Sequence, residues 1–296
     1  MHLISIDSAE MRATFNSRPS GTVLSRYGAR PGVEPRTARQ SFVRGFGRFL
    51  VGVLGAWWAL SVMPHPAGLW AAESPFVQRA EKAYQVARAS HHAEPTNDEL
   101  AWRFARACFY RADYTTSNSQ RAALAEEGIA VCRQIIKRRP KLAVGHYYLA
   151  LNLGQLARTK TLGALSIVDK METELKAAIA LDPKLDYAGP DLSLGILYRD
   201  APGWPASIGN RSKAREHLRQ AVKRSPDYPE NRLILLESYL EWNDKQAFQQ
   251  EFEEAVKPMA AACKLFTGEE WEENWADWGP RWEKLKSKAP PPPASQ

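Results

Sequence analysis

Three prolines, Pro140, Pro183 and Pro226, stand 43 residues apart, and the stretches they close read alike. Residues 141–183 open Lys-Leu and end Ala-Ala-Ile-Ala-Leu-Asp-Pro; residues 184–226 open Lys-Leu and end Gln-Ala-Val-Lys-Arg-Ser-Pro. Leu175/Leu218, Ala178/Ala221 and Ile179/Val222 recur at the same offset. A fixed period of this size marks a supersecondary unit that cannot bury its apolar face alone and stacks on its neighbours. Ala178 and Ala221 let two helices approach closely. The proline five residues after each removes an amide donor and stops the helix. The chain is therefore expected to be all-α, a tetratricopeptide-like stack of about four helical hairpins (an α-solenoid). The usual period is about 34 residues, so roughly nine are added in each unit. They fall between the two helices, within 159–169 and 200–210. Insertions that recur at one place in successive repeats project from one face, often the binding face.

The rest of the chain divides by composition. Residues 1–48 hold Arg, Ser, Gly and Pro without an apolar period and are expected to be disordered. An apolar run at 49–63 follows Arg44 and Arg48 and precedes Pro64 and Pro66. It fits the hydrophobic region of an export signal, or an uncleaved anchor, within 49–72. It is short for a full span. The basic stretch before it also fits an organelle transit sequence. A helical-repeat domain is expected over 73–266, with Asn97 capping its second helix. Thr267-Gly-Glu-Glu270 has the capping-box pattern and opens a Trp-rich helix at 267–286. There Trp271, Trp275, Trp278 and Trp282 share a face, and Gly279-Pro280 is expected to break the helix. This helix is read as a cap over the last hairpin, with an exposed aromatic strip as the alternative. Residues 287–296, with four consecutive prolines, read as a disordered tail.

The net charge of +7 is unevenly placed. Residues 1–72 carry eight arginines, no lysine and three acids; the remainder is nearly balanced. The body thus has no overall excess for phosphate neutralisation, which argues against nucleic acid as partner. No nucleophile elbow, zincin helix, phosphate loop or dinucleotide fingerprint occurs, so the chain reads as non-enzymatic. No cofactor and no metal site is expected. His91 and His92 have no third ligand in view, and His146 and His217 sit within helices. Cys108, Cys132 and Cys263 form no CxxC. Cys108 and Cys132 read as small buried apolar residues, with a disulfide as the alternative. The candidate binding set is Tyr147, Tyr148, Asn152, Tyr198 and Trp204, read as a concave aromatic surface; plain repeat packing is the competing reading of the tyrosines.

Glu99-Leu-Ala-Trp-Arg-Phe-Ala-Arg-Ala, His146-Tyr-Tyr-Leu-Ala-Leu-Asn-Leu-Gly154, Leu175-Lys-Ala-Ala-Ile-Ala-Leu-Asp-Pro183 and Ala201-Pro-Gly-Trp-Pro-Ala-Ser-Ile-Gly-Asn210 resemble two related groups. One is the T component of TRAP-type solute transporters; the other is the regulator-of-microtubule-dynamics group. The resemblance covers roughly 94–242. The repeat, the recurring insertions and the missing catalytic set point to an exported module that binds a protein partner or an apolar small molecule, with a purely structural interaction scaffold lacking a ligand pocket as the alternative. The resemblance implies a periplasmic or secreted location and an accessory role in solute uptake beside a solute-binding protein. It also implies a homo-oligomer. Membrane contact is expected only through the N-terminal segment. The lipid-attachment cysteine of the T component is missing.

Overall fold

The computed structural model describes residues 74–160 and 163–289. The segments expected at 1–48 and 49–72 and the end of the Pro-rich tail lie outside the described residues. Ten helices follow in order: α1 (Pro75–Ala93), α2 (Asp98–Asp113), α3 (Asn118–Arg138), α4 (Ala143–Ala157), α5 (Ala164–Leu181), α6 (Leu185–Asp200), α7 (Arg211–Arg224), α8 (Pro229–Glu241), α9 (Lys245–Leu265) and α10 (Glu272–Lys286). A 3-10 turn, Glu269–Trp271, precedes α10. Each helix packs on the next through α9, and α10 lies on α8. The hairpins are α2/α3, α4/α5, α6/α7 and α8/α9, so the expected all-α hairpin stack is what forms. Among the described residues no helix is long and apolar enough to cross a membrane.

Local chemistry sets the helix starts. Asn97 accepts hydrogen bonds from the amides of Glu99 and Leu100 at 3.0 and 3.3 Å, and Asp98 and Glu99 occupy the positive first turn. Ser117, Asn210 and Asp244 cap α3, α7 and α9 in the same manner. Helix α6 starts differently. Asp186, Tyr187 and Ala188 have φ of 48, 56 and 60°, a left-handed turn ahead of Gly189-Pro190. Non-glycine residues in this region cost about 1–2 kcal/mol each, so surrounding contacts must hold them. Asp186 accepts from the Tyr147 hydroxyl at 3.2 Å, and Tyr187 stacks on Tyr228 at 4.5 Å.

The first helix of each hairpin is buried almost all round. In α4 only His146 and Leu156 escape full burial. Such a helix needs neighbours on every side. Helix α6 serves two cores at once. Leu194, Leu197 and Tyr198 join the core of α1–α5, whereas Leu192 and Ile196 join that of α7–α10. The second helices are amphipathic and touch their partners with small residues. Ala178 and Ala221 are fully buried. A Cβ on Gly195 of α6 would lie 2.8 Å from the Leu218 side chain and 3.1 Å from its backbone nitrogen.

The added residues of the two units take different forms. In the first, α5 already begins at Ala164, so much of the 159–169 stretch is extra helix. In the second, residues 201–210 form a true loop between α6 and α7. The C-terminal helix also departs from expectation in two ways. Thr267 makes no side-chain cap; the 3-10 turn leads in instead. Pro280 sits inside a continuous α10, because the side chains on either side are fixed to α8. Trp278 Nε1 donates to Glu230 at 2.7 Å, and Arg281 donates to Glu230 and Glu237 at 2.7–3.1 Å. Trp271 and Trp278 are buried against Phe266 and Tyr228, so the indoles cover the last hairpin.

Replacing Gly195 by alanine should lower stability by about 1–3 kcal/mol, because backbone, not only a side-chain tip, must move. Urea unfolding read by circular dichroism checks it: the midpoint falls while the slope stays constant.

Candidate functional site

The loop 201–210 is built from its own backbone. The amide of Gly209 donates to Pro202 O and that of Asn210 to Tyr198 O, both at 2.8 Å. Gly203 and Gly209 pair across it in a single bridge, and a turn closes with Ala206 N on Gly203 O at 3.1 Å. A side chain at Gly209 would collide with the carbonyl oxygens of Ala201 and Pro202, so the position requires glycine. Ile208 packs on the first core, and Asn210 accepts from Lys213 N at 2.9 Å to start α7. The loop is thus fastened at both ends and through one apolar side chain. Its remaining large residue points outward: Trp204 is 89% exposed.

The other four candidate residues lie elsewhere in kind. Tyr147, Tyr148, Asn152 and Tyr198 are all buried, at 4% exposure or less. Tyr148 stacks on Trp102 at 6.1 Å and touches Tyr147 at 5.1 Å. Burial pushes its phenol well above the usual range. Asn152 donates to the carbonyls of Ala105 and Tyr148 at 3.0 and 2.8 Å, tying α4 to α2; its side chain occupies the space that a Cβ on Gly128 of α3 would need. Tyr198 donates to Glu172 on α5, with Lys213 Nζ 5.1 Å from its ring centre. Burial and the Glu172 carboxylate push this phenol up to about 12. These side chains join helices to one another. They do not form one open aromatic surface with Trp204 in the described chain.

The histidines also join helices. His146 Nδ1 is 2.6 Å from Glu174 on α5, and its Nε2 is 2.9 Å from Pro140 O. The Glu174 hydrogen bond holds the imidazole pKa above its ordinary value, against partial burial. His217 pairs with the buried Asp191, which also receives Arg224. His91 stacks on Phe104 at 5.4 Å, and burial pushes its pKa down. Among the described residues no three potential metal ligands cluster. Cys108 and Cys132 are fully buried free thiols, with pKa values pushed up by burial.

A second surface went unread in the sequence. Helix α7 carries six basic residues and one acid, although the body as a whole is nearly neutral. Arg211, Arg215 and Arg219 line a shallow, open groove along one face of α7 with Ser212, Glu216 and Gln220. The signal was present as Arg-Ser-Lys-Ala-Arg-Glu-His-Leu-Arg, with Arg at i, i+4 and i+8, but averaging charge over the whole body concealed it.

Comparison with known proteins places this geometry. A family model described as regulator of microtubule dynamics protein 1-3 matches residues 72–188, somewhat less than half of the chain. No curated protein matches. Among solved structures, a thermophilic TPR protein of Thermus thermophilus is similar over 71% of this chain and 92% of its own, with a TM-score of 0.51 and 20% identity. MamA is similar over 63% of this chain and 92% of its own, with a TM-score of 0.44 and 15% identity. The chain has a tetratricopeptide-like helical-repeat fold.

The histidine geometry gives a pH test. Because the folded pKa of His146 is raised, its contact with Glu174 contributes fully below the unfolded value of about 6.5 and is lost as pH rises through the folded value. Stability of the parent relative to His146→Gln should therefore decline from pH 6 to pH 8. Equal slopes of the two proteins in urea unfolding across that range would contradict the assignment.

Proposed function

We propose that this chain is an exported, non-enzymatic helical-repeat protein that binds a protein partner through the edge formed by loop 201–210. One observation carries the reading: Trp204, a large aromatic, stands 89% exposed on a loop that is otherwise fastened down. A rigid aromatic anchor loses little conformational freedom on binding, and tryptophan is enriched where truncation costs most at interfaces. Four of the five candidate side chains hold the stack together, which favours a protein partner over an apolar small molecule taken up among the tyrosines. An accessory role in solute uptake, with a solute-binding protein as partner and a homo-oligomeric state, is the form this takes in the T component that the sequence resembles. The export reading rests on the apolar run at 49–63 after its arginines.

Two experiments test these statements. A photo-crosslinking phenylalanine at position 204 should give a discrete adduct in cells, absent when the same residue replaces Val256, which is also exposed. Equal adducts from both positions, or none, would remove Trp204 from the interface. Trp204→Ala should leave folding stability within about 0.5 kcal/mol, since the side chain packs on little. Residues 1–72 fused to alkaline phosphatase should yield active enzyme if they direct export; an inactive cytosolic fusion would overturn that part.

A further inference from the structure

The arginines of α7 are arranged more strictly than surface charge requires. The guanidinium of Arg211 lies 5.2 Å from the Trp242 ring centre and donates to Trp242 O at 3.0 Å. That of Arg215 lies 5.7 Å from Trp242 and 5.6 Å from Tyr239, and bonds Asp244 at 2.6 Å. The charges of Arg219 and Arg215 also bear on the Tyr239 phenol, offsetting part of the upward push from burial. Stacking on aromatic faces holds guanidinium groups in place and leaves their edges available for hydrogen bonds. Arg211 and Arg215 are held in this way, and Arg219 follows one helical turn on, so three guanidinium groups line one groove.

The charge of this groove is only partly balanced, and an excess of positive charge remains. Asp244 is engaged by Arg215, and Glu216 is the one acid lining the groove. Among the described residues neither Arg211 nor Arg219 has a carboxylate within ion-pair distance, and both are exposed. The nearby Glu251 is bonded to Arg232 at 2.8 Å and feels Arg219 through space, so it offsets part of that charge without pairing with it. The stripe is not a property of the repeat either. The positions 43 residues earlier are Val168, Glu172 and Lys176, on a helix with two basic residues and three acids. Packing between hairpins therefore does not demand arginines here.

We propose that the α7 groove is a docking site for an acidic protein segment. Carboxylates about one helical turn apart would each accept from one arginine of the stripe. Guanidinium–carboxylate pairs are directional and charge-assisted, and three in register select a pattern as well as a sign. The site is separate from the Trp204 loop and does not depend on it.

A fluorescein-labelled, end-blocked helical peptide with glutamates at i, i+4 and i+8 is the probe, titrated with the full chain and followed by anisotropy. Binding should be about tenfold tighter than to a peptide of the same composition with the glutamates scrambled, and should weaken as salt rises from about 50 to about 300 mM. Arg211→Gln with Arg219→Gln should cost about tenfold or more, with the helical circular dichroism spectrum retained at the temperature of the titration. Lys223→Gln, on the same helix but outside the groove, and Trp204→Ala should leave the affinity as it was. Equal binding of the scrambled peptide, an unaffected double variant, or an equal loss in Lys223→Gln would overturn the proposal. So would anionic phosphatidylglycerol vesicles that bind with the same arginine dependence while the peptide does not. Because Trp204→Ala is carried through the same titration, failure here and failure of the loop interface are separately visible.

Discussion

Helix α6 must bury both of its faces, and much of the stack depends on how it does so. Leu194, Leu197 and Tyr198 complete the core that begins at α1, while Leu192 and Ile196 start the one that ends under α10. Neither half can supply this burial by itself. A helix apolar around its circumference is stable only when neighbours cover it on every side. The close contact at Gly195 follows, since α7 has to come near enough for Leu218 to fill the gap. The left-handed turn at Asp186–Ala188 follows too: it directs Asp186 towards Tyr147 in one half and Tyr187 towards Tyr228 in the other.

The last hairpin has the opposite need: among the described residues α8 is covered on one side by a single helix, α10, and not by another hairpin. The 3-10 turn and α10 supply that cover with Trp271 and Trp278, and the carboxylates of Glu230 and Glu237 hold α10 there through Arg281. Those carboxylates hold the Arg281 pKa above its ordinary value against strong burial. A buried charge network of this kind specifies where a helix sits more than it adds net stability, while losing one partner is costly. The same anchoring lets the helix run on through Pro280, where a free helix would break.

With the interior so committed, recognition is left to the surface. Beyond the left-handed turn that opens α6, the second 43-residue unit differs from its twin by an ordered loop with an outward tryptophan and by a helix with a stripe of arginines. Both lie in one stretch, 201–224. Repeat proteins vary where packing does not constrain them, and this stretch is where the second unit departs most from the first.

Periodicity alone determined the all-α hairpin stack, the closing prolines, and the small residues at Ala178 and Ala221, because stacking identical units imposes identical contacts on identical positions. The cap at Asn97 was equally legible, since capping is local chemistry. Sequence spacing could not assign the tyrosines: Tyr147, Tyr148 and Tyr198 suit an aromatic binding face and a helix interface equally, and only the arrival of α2, α5 and α6 around them decided for burial. Nor could it separate the two insertions, since equal length became extra helix in α5 and an ordered loop after α6. The uninterrupted α10 was likewise settled by Glu230 and Glu237, which stand more than forty residues from Pro280. In each of these cases the deciding partner is remote in the chain, and the physical choice exists only once the helices have been brought together.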